Sequence, residues 1–273
     1  MSAMGGQTPG ESGHGLLFYA VVYLVFLYVP VLFLPVFSFN DGTIVAFPLK
    51  GFTLKWYGQL AEAGPLWNAL KNSLVVACAS ATLSTVLGLL AARAFVRHRT
   101  AWQGASEGLV MLPLVVPGVI VATGMLVTFV NLGLPPSRLA VILGHTFLLV
   151  PFAVAILKSA FEQFDSSLEE AARDLGESAF GAFRRVTLPV VAPGLLASFL
   201  VTFTVSFDEF VLAFFLAGSE PTLPIYIWSQ IRFPAKLPST LALASVLLLA
   251  SMVMLAAAEV LRRRGVGADG GTS

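Results

Sequence analysis

Residues 166–193 read SSLEEAARDLGESAFGAFRRVTLPVVAP, in a chain whose neighbouring segments are mostly Leu, Val, Ala and Phe. From Asp165 to Pro189, eight of 25 residues are charged, although the 273 residues carry only 31 charges in all. A quarter of the charge is thus gathered into one connector. Ser166 and Ser167 each stand three residues before a glutamate, Glu169 and Glu170, which is capping-box spacing. Ala171, Ala172 and Leu175 form a small apolar face at helical spacing. Gly176 offers the left-handed stop that a helix end favours. Ser178 is set to cap a second helix, in which Phe180, Phe183 and Val186 fall three apart and which Pro189 ends. The expectation is two short helices joined sharply, with small residues at the bend that allow another surface close.

Outward from this connector the chain is apolar. Hydrophobic residues make up 57% and charged residues 11%, against about 25% charged in an ordinary soluble domain. Six runs approach the roughly 20 residues needed to cross about 30 Å of hydrocarbon. They are 16–37, 72–92, 109–130, 139–157, 194–216 and 240–260. Lipid leaves backbone groups no water to bond, so these runs read as helices. The expected organisation is an all-α integral membrane bundle of six spans in one domain, 16–262. Flexible tails at 1–15 and 263–273 flank it, and the charged hairpin occupies 165–193. The first run is longer than a signal-peptide core and follows a leader without Lys or Arg, so it reads as a retained helix.

The net charge of +1 says nothing about nucleic acid, no basic patch with interleaved aromatics appears, and no nucleic-acid partner is expected. The single cysteine, Cys78, excludes an intrachain disulfide and a cysteine-based metal site. Lys and Arg orient the spans. With both termini cytoplasmic, ten fall inside (Arg93, Arg97, Arg99, Lys158, Arg173, Arg184, Arg185 and Arg262–Arg264) and six outside (Lys50, Lys55, Lys71, Arg138, Arg232 and Lys236). Prolines 30, 35, 113, 117 and 151 interrupt the runs. The Pro113/Pro117 pair is expected to make a static kink.

Glu170-Ala171-Ala172, then Gly176, Val186 and Leu188-Pro189, resembles the EAA motif of permease subunits in ATP-binding-cassette importers. Val186 stands where the pattern usually has Ile. The stretches SFND, GFTLKWY, HTFLLVPFAV and SFDEFVLAFFLAG extend the resemblance to the spermidine/putrescine permeases, their C-type subunit in particular. The resemblance implies a type I importer permease of the bacterial inner membrane, with the hairpin seated in a groove of the ATPase subunit. It also implies two such ATPases, a second homologous permease or a copy, and an extracytoplasmic binding protein that delivers a polyamine. Ferric iron, sulfate or an organophosphonate are the alternative cargoes. None of the five lysines follows a glycine as in a phosphate-binding loop. The chain is therefore expected to be no enzyme and to hold no cofactor or metal, with ATP and Mg bound by the partner ATPases.

SFDEF puts two acids, Asp208 and Glu209, inside the fifth run. Charges there cost about 2.5–3.5 kcal/mol on insertion scales and usually meet the bundle interior or a watery path. On one continuous helix Ser198, Thr202, Ser206 and Glu209 share a polar stripe, with Asp208 about 100° away. The expectation is that this stripe lines a translocation path, Glu209 meeting a cationic solute. A stand-alone proton-coupled carrier or channel, relaying through Asp208, Glu209 and His145, is the rival reading. Gly104-Ala105-Ser106-Glu107-Gly108 matches a nucleophile elbow letter for letter, yet no strand is expected before it.

Overall fold

The computed structural model describes residues 11–97 and 102–269. Residues 1–10 and 270–273 of the expected tails, with His98 and Arg99, lie outside the described residues. In chain order the elements are α1 (Glu11–Ser38), α2 (Lys55–Glu62), α3 (Gly64–Arg97), α4 (Gln103–Val115), α5 (Gly118–Asn131) and α6 (Arg138–Glu162). Then come α7 (Ser167–Asp174), α8 (Ala179–Ala182), a π-helical turn (Phe183–Thr187), α9 (Leu188–Asp208) and α10 (Val211–Leu216). Last are α11 (Leu223–Ile231), a 3₁₀ turn (Pro234–Lys236) and α12 (Leu237–Asp269). Among the described residues the sole strand-like pairing is an isolated bridge between Asn40 and Phe52.

Five helical stretches are long and apolar enough to cross a membrane, and the pair α4–α5 brings the number to six if it counts as one span. That pair bends by 101°, far beyond the kink expected of Pro113 and Pro117. The two prolines act differently. Pro113 sits inside α4 without ending it. Pro117 forces the residue before it out of the helical region, and Val116 is extended with ψ 133°. Pro30, Pro35, Pro151 and Pro193 all lie inside continuous helices.

The helices gather into two compact units. In one, α12 packs along α1 and α2. Its 39–54 loop folds onto Asn40, whose carbonyl accepts from the Trp56 indole at 2.8 Å and whose side chain accepts from the Lys50 amide at 3.0 Å.

In the other, spanning Gly64–Trp228, α3 is the central helix and packs along α6 and α9. Its buried side is small: Ala77, Ser80, Ala81, Ser84 and Gly88. Small residues let membrane helices approach closely, and the gain there is packing rather than escape from water. Gly88 marks the tightest point, because a Cβ on it would lie 2.6 Å from the Ala153 Cβ on α6. Val76, Ala122, Val141, Leu212 and Leu216 close the core where α3, α5, α6 and α10 meet.

Candidate functional site

The hairpin begins with a cap that differs from the one expected. The Ser166 and Ser167 side chains make no capping-box bonds; instead the Asp165 carboxylate accepts from the Ser167 amide at 3.0 Å. The Ser167 amide and hydroxyl hold that carboxyl below its ordinary range. α7 ends at Gly176, whose φ of +94° is the left-handed conformation expected there. Ser178 caps α8 as the sequence indicates, accepting from the Gly181 amide at 3.0 Å.

Pro189, however, does not end the second arm. The helical path runs on from Ala179 to Asp208 through the π-helical turn, in which the Leu188 amide reaches back to the Phe183 carbonyl. Pro189 is the second residue of α9, directly after the π-helical turn, and the helix runs on past it.

The expected apolar face does not pack inward. Leu175 is 89% exposed and Phe180 71% exposed, with Leu168 and Ala171 also outward. Glu170 and Pro189 are exposed, while Ala172, Val186 and Leu188 are half-buried. A hollow of about 500 Å³ lies beside Glu170, lined also by Arg97, Phe161, Glu162 and Phe164. The hairpin thus presents apolar side chains around a glycine bend, next to a polar recess.

Sequence reasoning missed the residue behind this surface. Glu169 is 2% exposed. Its carboxylate takes a hydrogen bond from Arg93 at 3.2 Å, another from Arg97, and one from the Thr187 hydroxyl at 2.6 Å. The Arg93 guanidinium also lies 4.0 Å from the centre of the Phe183 ring. The only sequence signal was two arginines four apart, which put both on one face of α3.

The polar stripe of α9 is buried. Ser198 and Thr202 are fully enclosed and Ser206 nearly so. Ser198 meets the Thr85 hydroxyl of α3 at 3.4 Å, and the Ser206 hydroxyl meets His145 Nδ1 of α6 at 2.8 Å. These residues form a seam where α9 meets α3 and α6.

Glu209 is not on that helix, because α9 stops at Asp208. Glu209 is extended, with ψ 121°. Its carboxylate instead accepts from the Leu212 amide at 3.0 Å and the Ala213 amide at 3.1 Å, satisfying donors left open at the start of α10. His145 Nε2 stands 3.2 Å from the same carboxylate.

Asp208 has the opposite surroundings. It is exposed, on the open side of α9 with Leu200 and Thr204. The stacked rings of Phe199, Phe203 and Phe207 run along the adjoining side, with centroids 6.2 and 6.0 Å apart. The Gly104–Gly108 match lies within α4, so it has no strand and no elbow. Among the described residues no group of three His, Cys, Asp or Glu is arranged to hold a metal.

Comparison with known proteins adds four matches. The family model for binding-protein-dependent transport system inner membrane components matches residues 84–265. The spermidine/putrescine transport system permease protein PotC of Escherichia coli (strain K12) is 34% identical over 247 residues, covering 90% of this chain and 92% of that protein. The putrescine transport system permease protein PotI of the same strain is 34% identical over 228 residues, 81% of this chain and 80% of its own length. Among solved structures, the bacterial alginate ABC transporter in complex with an alginate pentasaccharide-bound periplasmic protein matches with a TM-score of 0.71. It covers 92% of this chain and 93% of its own at 19% identity, a likeness of fold.

Proposed function

The chain belongs to the family of binding-protein-dependent transport system inner membrane components, and from that premise we propose that it forms half of the membrane pathway for a polyamine. It is a multi-pass permease subunit with the fold of ATP-binding-cassette importers. In the proposed assembly a second homologous permease completes the pathway and two ATPase subunits supply the work. A binding protein delivers the solute on the far side. Both termini and the 165–193 hairpin face the cytoplasm, in keeping with the Lys/Arg bias.

The observation that carries the coupling role is the hairpin's outward apolar surface. Leu175 and Phe180 flank Gly176 in the EAA segment, and exposed apolar groups of this kind mark a docking surface. Glu170, Ala171, Ala172, Gly176, Val186, Leu188 and Pro189 form or support that seat for the ATPase. ATP and Mg then belong to the partner, and this chain is a transport subunit without a nucleotide site.

The polyamine assignment draws on the relatives named for spermidine and putrescine. It also draws on Asp208. A carboxylate on the open side of a membrane helix is costly against lipid, so it calls for a watery path or a partner subunit. Beside it, Phe203 and Phe207 offer ring faces of the kind that attract ammonium groups. Asp208, with Thr204, replaces Glu209 as the acid proposed for the path. Ser198, Thr202 and Ser206 support it from within.

The test is reconstitution of the full complex in proteoliposomes with its ATPase, companion permease and binding protein. Uptake of labelled spermidine and putrescine should depend on ATP and on the binding protein, and Gly176→Asp or Glu170→Arg should release the ATPase. Polyamine uptake by this chain alone, or retention of the ATPase by both variants, would sink the reading.

A further inference from the structure

Glu169 is chemically conspicuous because a buried carboxylate is tolerated only when paired and hydrogen-bonded. Here the pairing is threefold and comes from both directions along the chain. Arg93 and Arg97 belong to the last turns of α3, while Thr187 belongs to the π-helical turn of the hairpin's second arm. Glu169 itself is on the first arm, α7. Phe183, again on the second arm, stacks on Arg93. One carboxylate therefore fastens both arms of the hairpin to the end of α3. A π-helical turn widens the helix and redirects side chains, and such turns often occur at functional sites. This one carries the Thr187 hydroxyl to within 2.6 Å of Glu169.

The position of α3 gives this fastening a mechanical meaning. α3 runs 34 residues, about 50 Å, and packs closely along α6 and α9. At Gly88 it leaves no room for even a methyl group against α6. A displacement of its end is passed to the helices beside it. A hairpin joined to the bundle only through its two chain connections would bend under load.

We infer that Glu169 is a positioning residue for transport, the tie through which movement of the hairpin is delivered to α3 rather than lost in flexing. The inference rests on the reading of the hairpin as the ATPase seat. It assigns Glu169 and Glu170 to different tasks: Glu170 faces the partner, and Glu169 holds the surface that Glu170 belongs to.

The test uses the reconstituted complex and measures polyamine imported per ATP hydrolysed, alongside the amount of ATPase retained. Glu169→Gln keeps the shape and removes the charge. It should retain the ATPase yet import about tenfold less per ATP. Glu169→Asp should recover part of that loss. Where Glu169→Gln does not accumulate, Arg97→Gln takes its place; it leaves Arg93 and Thr187 on Glu169, and the ratio should fall about threefold.

An unchanged ratio in the variant that accumulates overturns the inference. So does loss of the ATPase from Glu169→Gln, which would make Glu169 part of the seat itself. The controls Glu170→Arg and Gly176→Asp separate the two claims. If they keep the ATPase bound, the seat reading fails, whatever Glu169 does.

Discussion

Two acidic doublets, Glu169-Glu170 in the hairpin and Asp208-Glu209 at the end of α9, look alike in sequence and divide in the same way in space. In each, one acid is enclosed and bonded while its neighbour is open. The enclosed acids differ in what neutralises them. Glu169 is held by two guanidiniums and a hydroxyl from elements 18 to 76 residues away. Glu209 is held mainly by amides three and four residues further on. A tie made of distant side chains joins separate elements, whereas a cap made of nearby amides shapes one joint. The hairpin doublet therefore bears on transmission of movement, and the α9 doublet on where a helix stops and which acid stays free.

The sharpest break in this comparison should come from Glu209→Ala. It takes the acceptor away from two amide donors of α10 and leaves His145 buried without its carboxylate neighbour. A loss of about 3 kcal/mol is expected, read as a lowered unfolding midpoint in detergent. Glu169→Gln comes next, at about 2 kcal/mol, while Glu170→Gln should stay within about 0.5 kcal/mol. Equal effects at 169 and 170 would erase the contrast drawn within that doublet.

Asp208→Asn should leave the unfolding midpoint alone but lower polyamine uptake about tenfold, since an ammonium loses one charge-assisted partner. A shifted midpoint with unaltered uptake would reverse the roles assigned to Asp208 and Glu209. The smallest effect concerns Asp165. Its lowered carboxyl contributes fully above the ordinary value of 3.8 and loses that contribution as pH falls through its lower, folded value. The stability difference between wild type and Asp165→Asn should shrink over that acid range. Protease nicking at the start of α7 gives the measurement.

The spans and the glycine bend were legible because their signals are local. A run of apolar side chains needs no partner to be recognised, and Gly176 has φ +94° for reasons contained in one residue. The break after Asp208 was not legible, because SFDEF contains neither Gly nor Pro. A helical projection runs straight through it, and the stop appears only when Glu209 is seen accepting from the α10 amides. Ser198, Thr202 and Ser206 were correctly grouped on one side of α9, but periodicity does not say whether a small polar side meets water or another helix. It meets Thr85 and His145. Glu169 was hidden for the opposite reason: its partners on α3 lie 72 and 76 residues away.

The elbow between α4 and α5 carries one more consequence. Pro117 has no N–H, so the Pro113 carbonyl loses the donor that an unbroken helix would return to it. With 13 and 14 residues, the two pieces are each about 20 Å long, short of the hydrocarbon thickness, so neither crosses it alone. Acyl chains can offer that oxygen nothing. The corner must therefore be roofed, and Pro113 is itself buried within the subunit, so the bend rests against protein where a lipid-facing helix could not break.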